Sequence, residues 1–111
     1  MPMNVRSSIA AGTAKAQNAA FFSTALSPIG ADVTPTKFRI TISLSAAVVV
    51  QVTLDNATTW SALFEGNVLQ ASCTYGFDVP LRGGDLFNMR IPTSGGATIQ
   101  ICRIDEVINE G

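Results

Sequence analysis

Apolar and polar residues alternate along much of the chain after residue 36. In the run 38–45 every second residue is apolar, and the same two-residue period returns in the run 48–54. Successive side chains of a β-strand point to opposite faces, so a period of two places the apolar side chains of a run on one face. The two runs therefore predict two strands, each with one buried face and one solvated face.

Further strands are predicted nearer the C-terminus. The run 73–81 alternates in the same way until Pro80, which has no backbone N–H and therefore limits this strand to an edge or an end of a sheet. The run 87–91 stops before Pro92, and a last strand extends from residue 97 to about residue 107. The C-terminal half is thus also predicted to consist of short strands.

Glycine, asparagine, aspartate and serine separate these runs, and no wide apolar stripe recurs at helical spacing. About six to eight short strands joined by turns are typical of an antiparallel β-sandwich or jelly roll. A chain of 111 residues has the size of one domain. We therefore predict an all-β fold, with residues 37–111 forming the β-sandwich domain.

The segment 1–36 has a different composition, because it is rich in alanine, serine and threonine and has prolines near its end. We interpret it as an extended N-terminal arm outside the sandwich. The run 20–26 has the pattern of an edge strand, so the arm can contribute one strand. The sizeable apolar cluster of the arm is expected to bind a partner and consists of Phe21, Phe22 and Leu26. We expect a chain lacking residues 1 to about 31 to fold and to bind that partner more weakly.

The composition narrows the class of partner. Hydrophobic residues make up 47% of the chain and charged residues only 14%, which indicates a charge-poor surface suited to contacts with other proteins. The net charge of -1 argues against nucleic acid, whose backbone attracts basic surfaces. No run approaches the roughly 20 apolar residues of a membrane-spanning helix, and neither a secretory signal nor a transit peptide is recognisable. We expect a cytoplasmic product that contacts no membrane.

Two cysteines, Cys73 and Cys102, are predicted to be free thiols. The alternation places Cys73 on the aromatic face of its strand, whereas Cys102 falls opposite Ile99 and Ile101, which we expect to point inward. A disulfide requires both side chains to meet on one side of the sheet. Two thiols in a chain without histidine also argue against a metal site.

No catalytic arrangement is recognisable. The absence of histidine excludes a Ser-His-Asp triad and removes the usual general base at neutral pH. Asp78 and Asp85 form the only suggestive carboxylate pair, and we interpret Asp78 as an outward strand residue and Asp85 as a turn residue. A strand follows the glycines at 83–84, which favours a turn over a phosphate-binding loop. We therefore predict that the protein is not an enzyme and uses no cofactor.

Two groups of side chains offer alternative binding chemistry. Arginines on or beside the late strands would bind an anion or an acidic partner if they formed a patch, and scattered solvated charge is the simpler interpretation. These arginines are Arg82, Arg90 and Arg103. Aromatic side chains could form a sugar-binding platform, and aromatics at such spacing more often belong to a core. These aromatics are Trp60, Phe64 and Tyr75.

Charge is distributed unevenly between the two ends of the chain. The first 40 residues carry basic side chains at Arg6, Lys15, Lys37 and Arg39. The C-terminal end carries acidic side chains at Asp105, Glu106 and Glu110. A basic arm of one subunit could therefore meet an acidic tail of another, with solvated termini as the alternative.

The stretch 75–85, with the sequence YGFDVPLRGGD, and the stretch 103–107, with the sequence RIDEV, resemble small virion structural proteins of tailed bacteriophages. Within that group the chain is most similar to the capsid decoration, or cement, proteins that have a jelly-roll fold. The resemblance covers about the last two-thirds of the chain, and its motif is a strand and turn signature without catalytic residues.

The resemblance implies a homo-oligomer, commonly a trimer, that binds the major capsid protein on the outer surface of the virion and stabilises the capsid lattice. Tail and head-tail connector accessory proteins share the small size, the arm rich in alanine, serine and threonine, and the low charge. A structural role at the neck or tail is therefore the first alternative. A carbohydrate- or receptor-binding jelly roll is the second.

Overall fold

The computed structural model describes residues 3–28, 36–92 and 97–108, and of residues 3–6 and 108 it describes the backbone alone. The strands are β1 Met3–Ile9, β2 Thr13–Lys15, β3 Thr36–Leu44, β4 Gln51–Thr53, β5 Ser61–Ala62, β6 Tyr75–Leu81, β7 Asn88–Arg90 and β8 Ala97–Ile108. A short 3₁₀ turn covers Leu63–Gly66. In these three ranges no helix is long and apolar enough to cross a membrane.

Within the described residues the strands form two antiparallel sheets. The first has the order β1-β8-β3-β6, with β2 also pairing with β8, and the second has the order β5-β4-β7. The long strand β8 lies inside the first sheet, with β3 on one edge and β1 and β2 on the other. This arrangement confirms the predicted all-β, sandwich-like fold, whereas the jelly-roll connectivity stays a prediction.

The core lies between the two sheets. Phe38 of β3 and Phe87, beside β7, meet edge to face, with ring centroids 5.3 Å apart. Ile40, Ile104 and Met89 are also fully buried there. Burying a side chain of this size contributes about 1.5–3 kcal/mol. The alternation read in the run 38–45 thus corresponds to a strand whose apolar face packs on the second sheet.

The N-terminal segment differs from the expected arm. β1 and β2 pair with β8, so they are part of the first sheet. Phe21 and Phe22 are only 3% and 6% exposed and belong to the core. The physical reason is that burying two adjacent phenylalanine rings in a core removes more apolar surface from water than a solvated arm would, and this stabilises the fold.

The run 18–26 extends the second sheet without forming the continuous edge strand that was predicted. Phe21 donates its backbone N–H to Met89 O at 2.9 Å, and Leu26 and Phe87 exchange two backbone hydrogen bonds of 2.9 Å. The side chain of Asn88 fills the gap between these contacts, because its amide bonds both backbone groups of Phe22, at 2.9 and 3.1 Å. The Asn88 side-chain amide thus replaces a backbone hydrogen-bonded pair that is missing at this position.

A β-bulge changes the inward set of β8. The register shifts between Ser43, which faces Ile101, and Leu44, which faces Ile99, so that β8 has one extra residue. After such an insertion the alternation resumes on the other face. Ile99 and Cys102 are therefore both buried, and Ile101, which was predicted to point inward, is 43% exposed.

Candidate interaction surfaces

An open cleft lies between the two sheets beside β1. β1 is the terminal strand of the first sheet, and among the described residues no strand pairs with its second edge. The cleft is bordered by β1 and by the run 21–26 and has a volume of about 450 Å³. Four hydroxyl side chains line it, those of Ser7, Ser8, Ser23 and Thr24. We call this surface the N-terminal cleft.

The apolar residues expected to bind a partner lie at the N-terminal cleft. Phe21, Phe22 and Leu26 all line it, and Phe22 also packs on the core residue Phe87, with ring centroids 6.4 Å apart. The cluster is therefore held in place by the core. Hydroxyl groups both donate and accept hydrogen bonds, so a cleft lined by four of them beside a strand edge can accommodate an extended backbone segment.

The second surface is the edge of β6. β6 pairs with β3 along its whole length, and in the described part of the chain no strand pairs with its other edge. The edge position predicted from Pro80 is thus confirmed. Because Pro80 has no N–H to give to its partner Lys37, its backbone is expected to face away from β3. By alternation the backbone groups of Gly76 and Asp78 then also face the free edge.

Apolar side chains accompany this edge on the core side of β6. Tyr75 and Phe77 are half-buried, and the Phe64 ring lies with its centroid 5.9 Å from that of Tyr75 and 5.7 Å from that of Phe77. Phe64 is nevertheless 41% exposed, and Val68 in the same connection is 46% exposed. The edge therefore has a partly exposed aromatic cluster beside it.

The backbone that presents Phe64 is strained. Phe64 and Glu65 have φ angles of 51° and 59°, in the left-handed region, and Gly66 follows with φ 86°. Residues other than glycine adopt such angles at a cost of order 1–3 kcal/mol. Asn67 holds the turn, because its side-chain amide and its backbone N–H both donate to Phe64 O, at 2.9 and 3.1 Å. A fixed turn therefore holds the exposed ring against β6.

Charged side chains occupy the outer face next to the same edge. Asp78 binds Lys37 Nζ at 3.0 Å and Arg39 Nε at 3.1 Å. The hydrogen bond from Arg39, followed by the bond from Lys37 and the two positive charges, lowers the pKa of the Asp78 carboxyl. Gly76 lies opposite Thr41 and leaves a shallow depression of about 280 Å³ between Arg39 and Asp78.

The expected acidic tail is buried in the first sheet. Glu106 lies opposite Phe38 on the core side, is fully buried, and accepts a 3.2 Å hydrogen bond from the Thr36 hydroxyl. Asp105 is only 6% exposed and binds Arg103 Nε at 3.0 Å. β8 is an interior strand with neighbours on both edges, so its acidic residues are covered by those neighbours. Asp105 and Glu106 are therefore structural residues of β8, and the predicted acidic tail is wrong for these two positions.

The arginine patch considered from the sequence does not form. Arg90 lies on β7 of the second sheet, with its guanidinium 4.3 Å from the Trp60 ring centre and its Nε 2.7 Å from Gln51 Oε1. Arg103 lies on β8 of the first sheet, and Arg82 is exposed after β6. The arginines therefore belong to different sheets and ends.

The aromatic platform is not assembled either. Arg90 stacks on the Trp60 ring, whereas Tyr75 packs on Phe64 and accepts a hydrogen bond from Gln70 N–H through its hydroxyl at 2.9 Å. Trp60 and Tyr75 thus take part in separate contacts, on the second sheet and on β6 of the first.

The remaining candidate residues either have partners close to them in the fold or lie outside the described residues. Lys15 Nζ donates to Ala20 O at 3.2 Å. Arg6 belongs to β1 at a shift of register, and its side chain lies outside the described part. Asp85 accepts the Arg82 backbone N–H at 2.8 Å, in agreement with the predicted turn role. Glu110 lies outside the described residues.

The two cysteines are free thiols, as predicted, with Cys73 exposed and Cys102 buried. Burial raises the pKa of Cys102 to about 12, although the nearby Lys15 charge acts in the opposite direction. Among the described residues no group of three or more histidine, cysteine, aspartate or glutamate side chains could hold a metal ion.

Comparisons with protein-family models, with curated proteins and with solved structures give no match. The surfaces therefore have to be interpreted from their own chemistry. The sequence pattern predicted the apolar cluster of Phe21, Phe22 and Leu26 and the edge position of Pro80. It did not predict that Phe64, Gly76 and Asp78 share one surface, because the turn that brings Phe64 onto β6 depends on left-handed backbone angles.

Proposed function

We propose that the chain is a capsid decoration protein of a tailed bacteriophage, which binds the major capsid protein on the virion surface as a homo-oligomer. The observation that carries this proposal is the N-terminal cleft, an open site at a terminal strand whose lining combines four hydroxyl side chains with the edges of Phe21, Phe22 and Leu26. A site of this form suits an extended segment of a neighbouring protein. The resemblance of the stretch 75–85 supports the major capsid protein as that neighbour.

Binding at the N-terminal cleft would work by strand addition. An extended segment of the capsid protein would pair with the second edge of β1 and lie along the run 21–26, where Leu26 is half-buried and Ser23 and Thr24 are exposed. A homo-oligomer presents several such clefts at once, so weak contacts combine through effective concentration. Because the protein would bind the assembled lattice and not its free subunits, it would stabilise the shell by mass action.

The test is co-sedimentation of the purified protein with expanded, undecorated heads of the virus that encodes it. We expect saturable binding by the wild-type chain. Thr24→Trp should fill the N-terminal cleft and weaken this binding at least tenfold, because the indole occupies the space of the incoming segment. Thr24 is exposed, so the variant should fold normally.

The matched control is Thr58→Trp, which adds the same side chain at an exposed threonine of the 55–59 loop. It should bind heads as the wild-type chain does. Absence of wild-type binding would contradict the proposed function, whereas equal binding by both variants would remove the N-terminal cleft from it.

A further inference from the structure

We propose that the free edge of β6 pairs antiparallel with β6 of a second copy of this chain, about a two-fold axis through Phe77. This contact is separate from the N-terminal cleft, which lies beside β1 at the opposite end of the first sheet. It does not depend on lattice binding.

The backbone restricts the register and is compatible with an axis through Phe77. An axis through Phe77 places Gly76 of each copy opposite Asp78 of the other, and both residues have an N–H and a carbonyl to exchange. Four hydrogen bonds then form symmetrically, two at each pair. Pro80, which has no N–H, falls opposite Thr74, just before the partner strand begins at Tyr75. Registers centred on Val79 or Leu81 would bring Pro80 into the ladder and lose donors.

The charges favour the same register. An axis through Asp78 would oppose two carboxylates, whereas an axis through Phe77 places each carboxylate over the depression at Gly76 of the other copy. Arg39 borders that depression and binds Asp78 through Nε. We expect its terminal amino groups to donate to the Asp78 carboxylate of the other copy. With Lys37 and Arg39 beside each Asp78, every carboxylate of the seam lies among cations.

The apolar side of β6 is complementary to itself in this register. Phe77 meets Phe77 of the second copy, and Tyr75 lies opposite Val79. The Phe64 ring, which is 41% exposed and packs on Phe77, would be covered from both sides of the seam. Pairing thus buries the aromatic cluster that the fold leaves partly open.

The first experiment measures mass in solution by light scattering between micromolar and millimolar concentration. We expect the mass to rise from the 11.6 kDa of one chain to twice that value. Asp78→Lys should hold the protein at the mass of one chain, because it leaves only cations in the seam. Asp85→Lys, the same charge reversal in the turn after β6, should dimerise as the wild type does. A wild-type mass of one chain throughout, or of three chains, would overturn the proposal.

The second experiment tests the register by disulfide formation in a Cys73→Ser background, where only buried Cys102 remains as a native thiol. Mixing Gly76→Cys protein with Asp78→Cys protein should give a cross-linked dimer faster than either variant alone, because those positions face each other across the axis. A dimer that cross-links no faster in the mixture would exclude this register.

Discussion

Asp78 connects β6 to β3 through two cations, and its carboxyl has a lowered pKa in the folded chain because of the Arg39 hydrogen bond first and Lys37 next. A carboxyl with a depressed pKa stabilises the fold above its unfolded pKa of about 4 and loses that contribution as the pH falls through the folded value. The side chain is 36% exposed, so solvent screening keeps the contribution small.

We therefore predict that Asp78→Asn lowers the free energy of unfolding at neutral pH by at most about 1 kcal/mol. The difference from wild type should shrink as the pH falls below about 4, as measured by urea unfolding across pH. In a Lys37→Gln/Arg39→Gln background the substitution should have little effect at any pH. A difference that persisted in acid would show that Asp78 acts through packing.

The two thiols are predicted to differ in reactivity. Cys73 is exposed, whereas Cys102 is buried with its pKa raised to about 12, so it has neither access nor thiolate at neutral pH. Iodoacetamide should modify one site in the native protein, identified as Cys73 by mass spectrometry. Both sites should react in denaturant, and native modification of Cys102 would mean that the β8 register differs from the one described.

At the scale of the elements, the N-terminal segment is predicted to be required for folding. Removal of residues 1–28 takes away β1 and β2, exposes one edge of β8, and deletes Phe21 and Phe22 from the core. Loss of one large core side chain alone costs about 3–5 kcal/mol. The shortened chain should show no cooperative unfolding by circular dichroism, and a cooperative transition would restore the expectation of a separable arm.

A milder variant probes the same contact without deletion. Asn88→Ala should lower the free energy of unfolding by about 3 kcal/mol, because it leaves both backbone groups of buried Phe22 without their partner. Asn88→Asp keeps the acceptor for the Phe22 N–H but places a buried carboxylate oxygen against Phe22 O, so it should destabilise the protein at least as much as alanine. Equal stability of all three proteins would show that water replaces the amide.

Local alternation was sufficient to predict the strands that have one wet and one dry face, such as β3 and β6. It failed where a tertiary feature intervenes. The extra residue in β8 reverses the faces of Ile99 and Ile101, and no residue type in that run marks the bulge. The burial of Glu106 follows from the interior position of β8, which sequence spacing does not reveal. From the sequence alone, Asp105 and Glu106 were therefore predicted to belong to an acidic tail.

At the scale of the whole molecule, the two candidate surfaces lie at opposite ends of the first sheet. The N-terminal cleft adjoins β1 and the self-pairing edge is β6, with β8 and β3 between them. Each dimer made through β6 would therefore present two clefts facing away from its axis. Such a bivalent unit could link two sites on a regular lattice. A two-fold contact makes dimers, which differ from the trimers that the resemblance implies.

The most direct test of the proposed function is the number of copies in purified virions, measured by quantitative mass spectrometry against the major capsid protein. A decoration protein should be present in a number of copies comparable with the number of binding sites on the capsid lattice. Mild treatment of the virion should release it and leave an intact head. A copy number equal to that of a single ring would contradict decoration and assign the chain to the neck or tail, and absence from the virion would contradict a structural role in it.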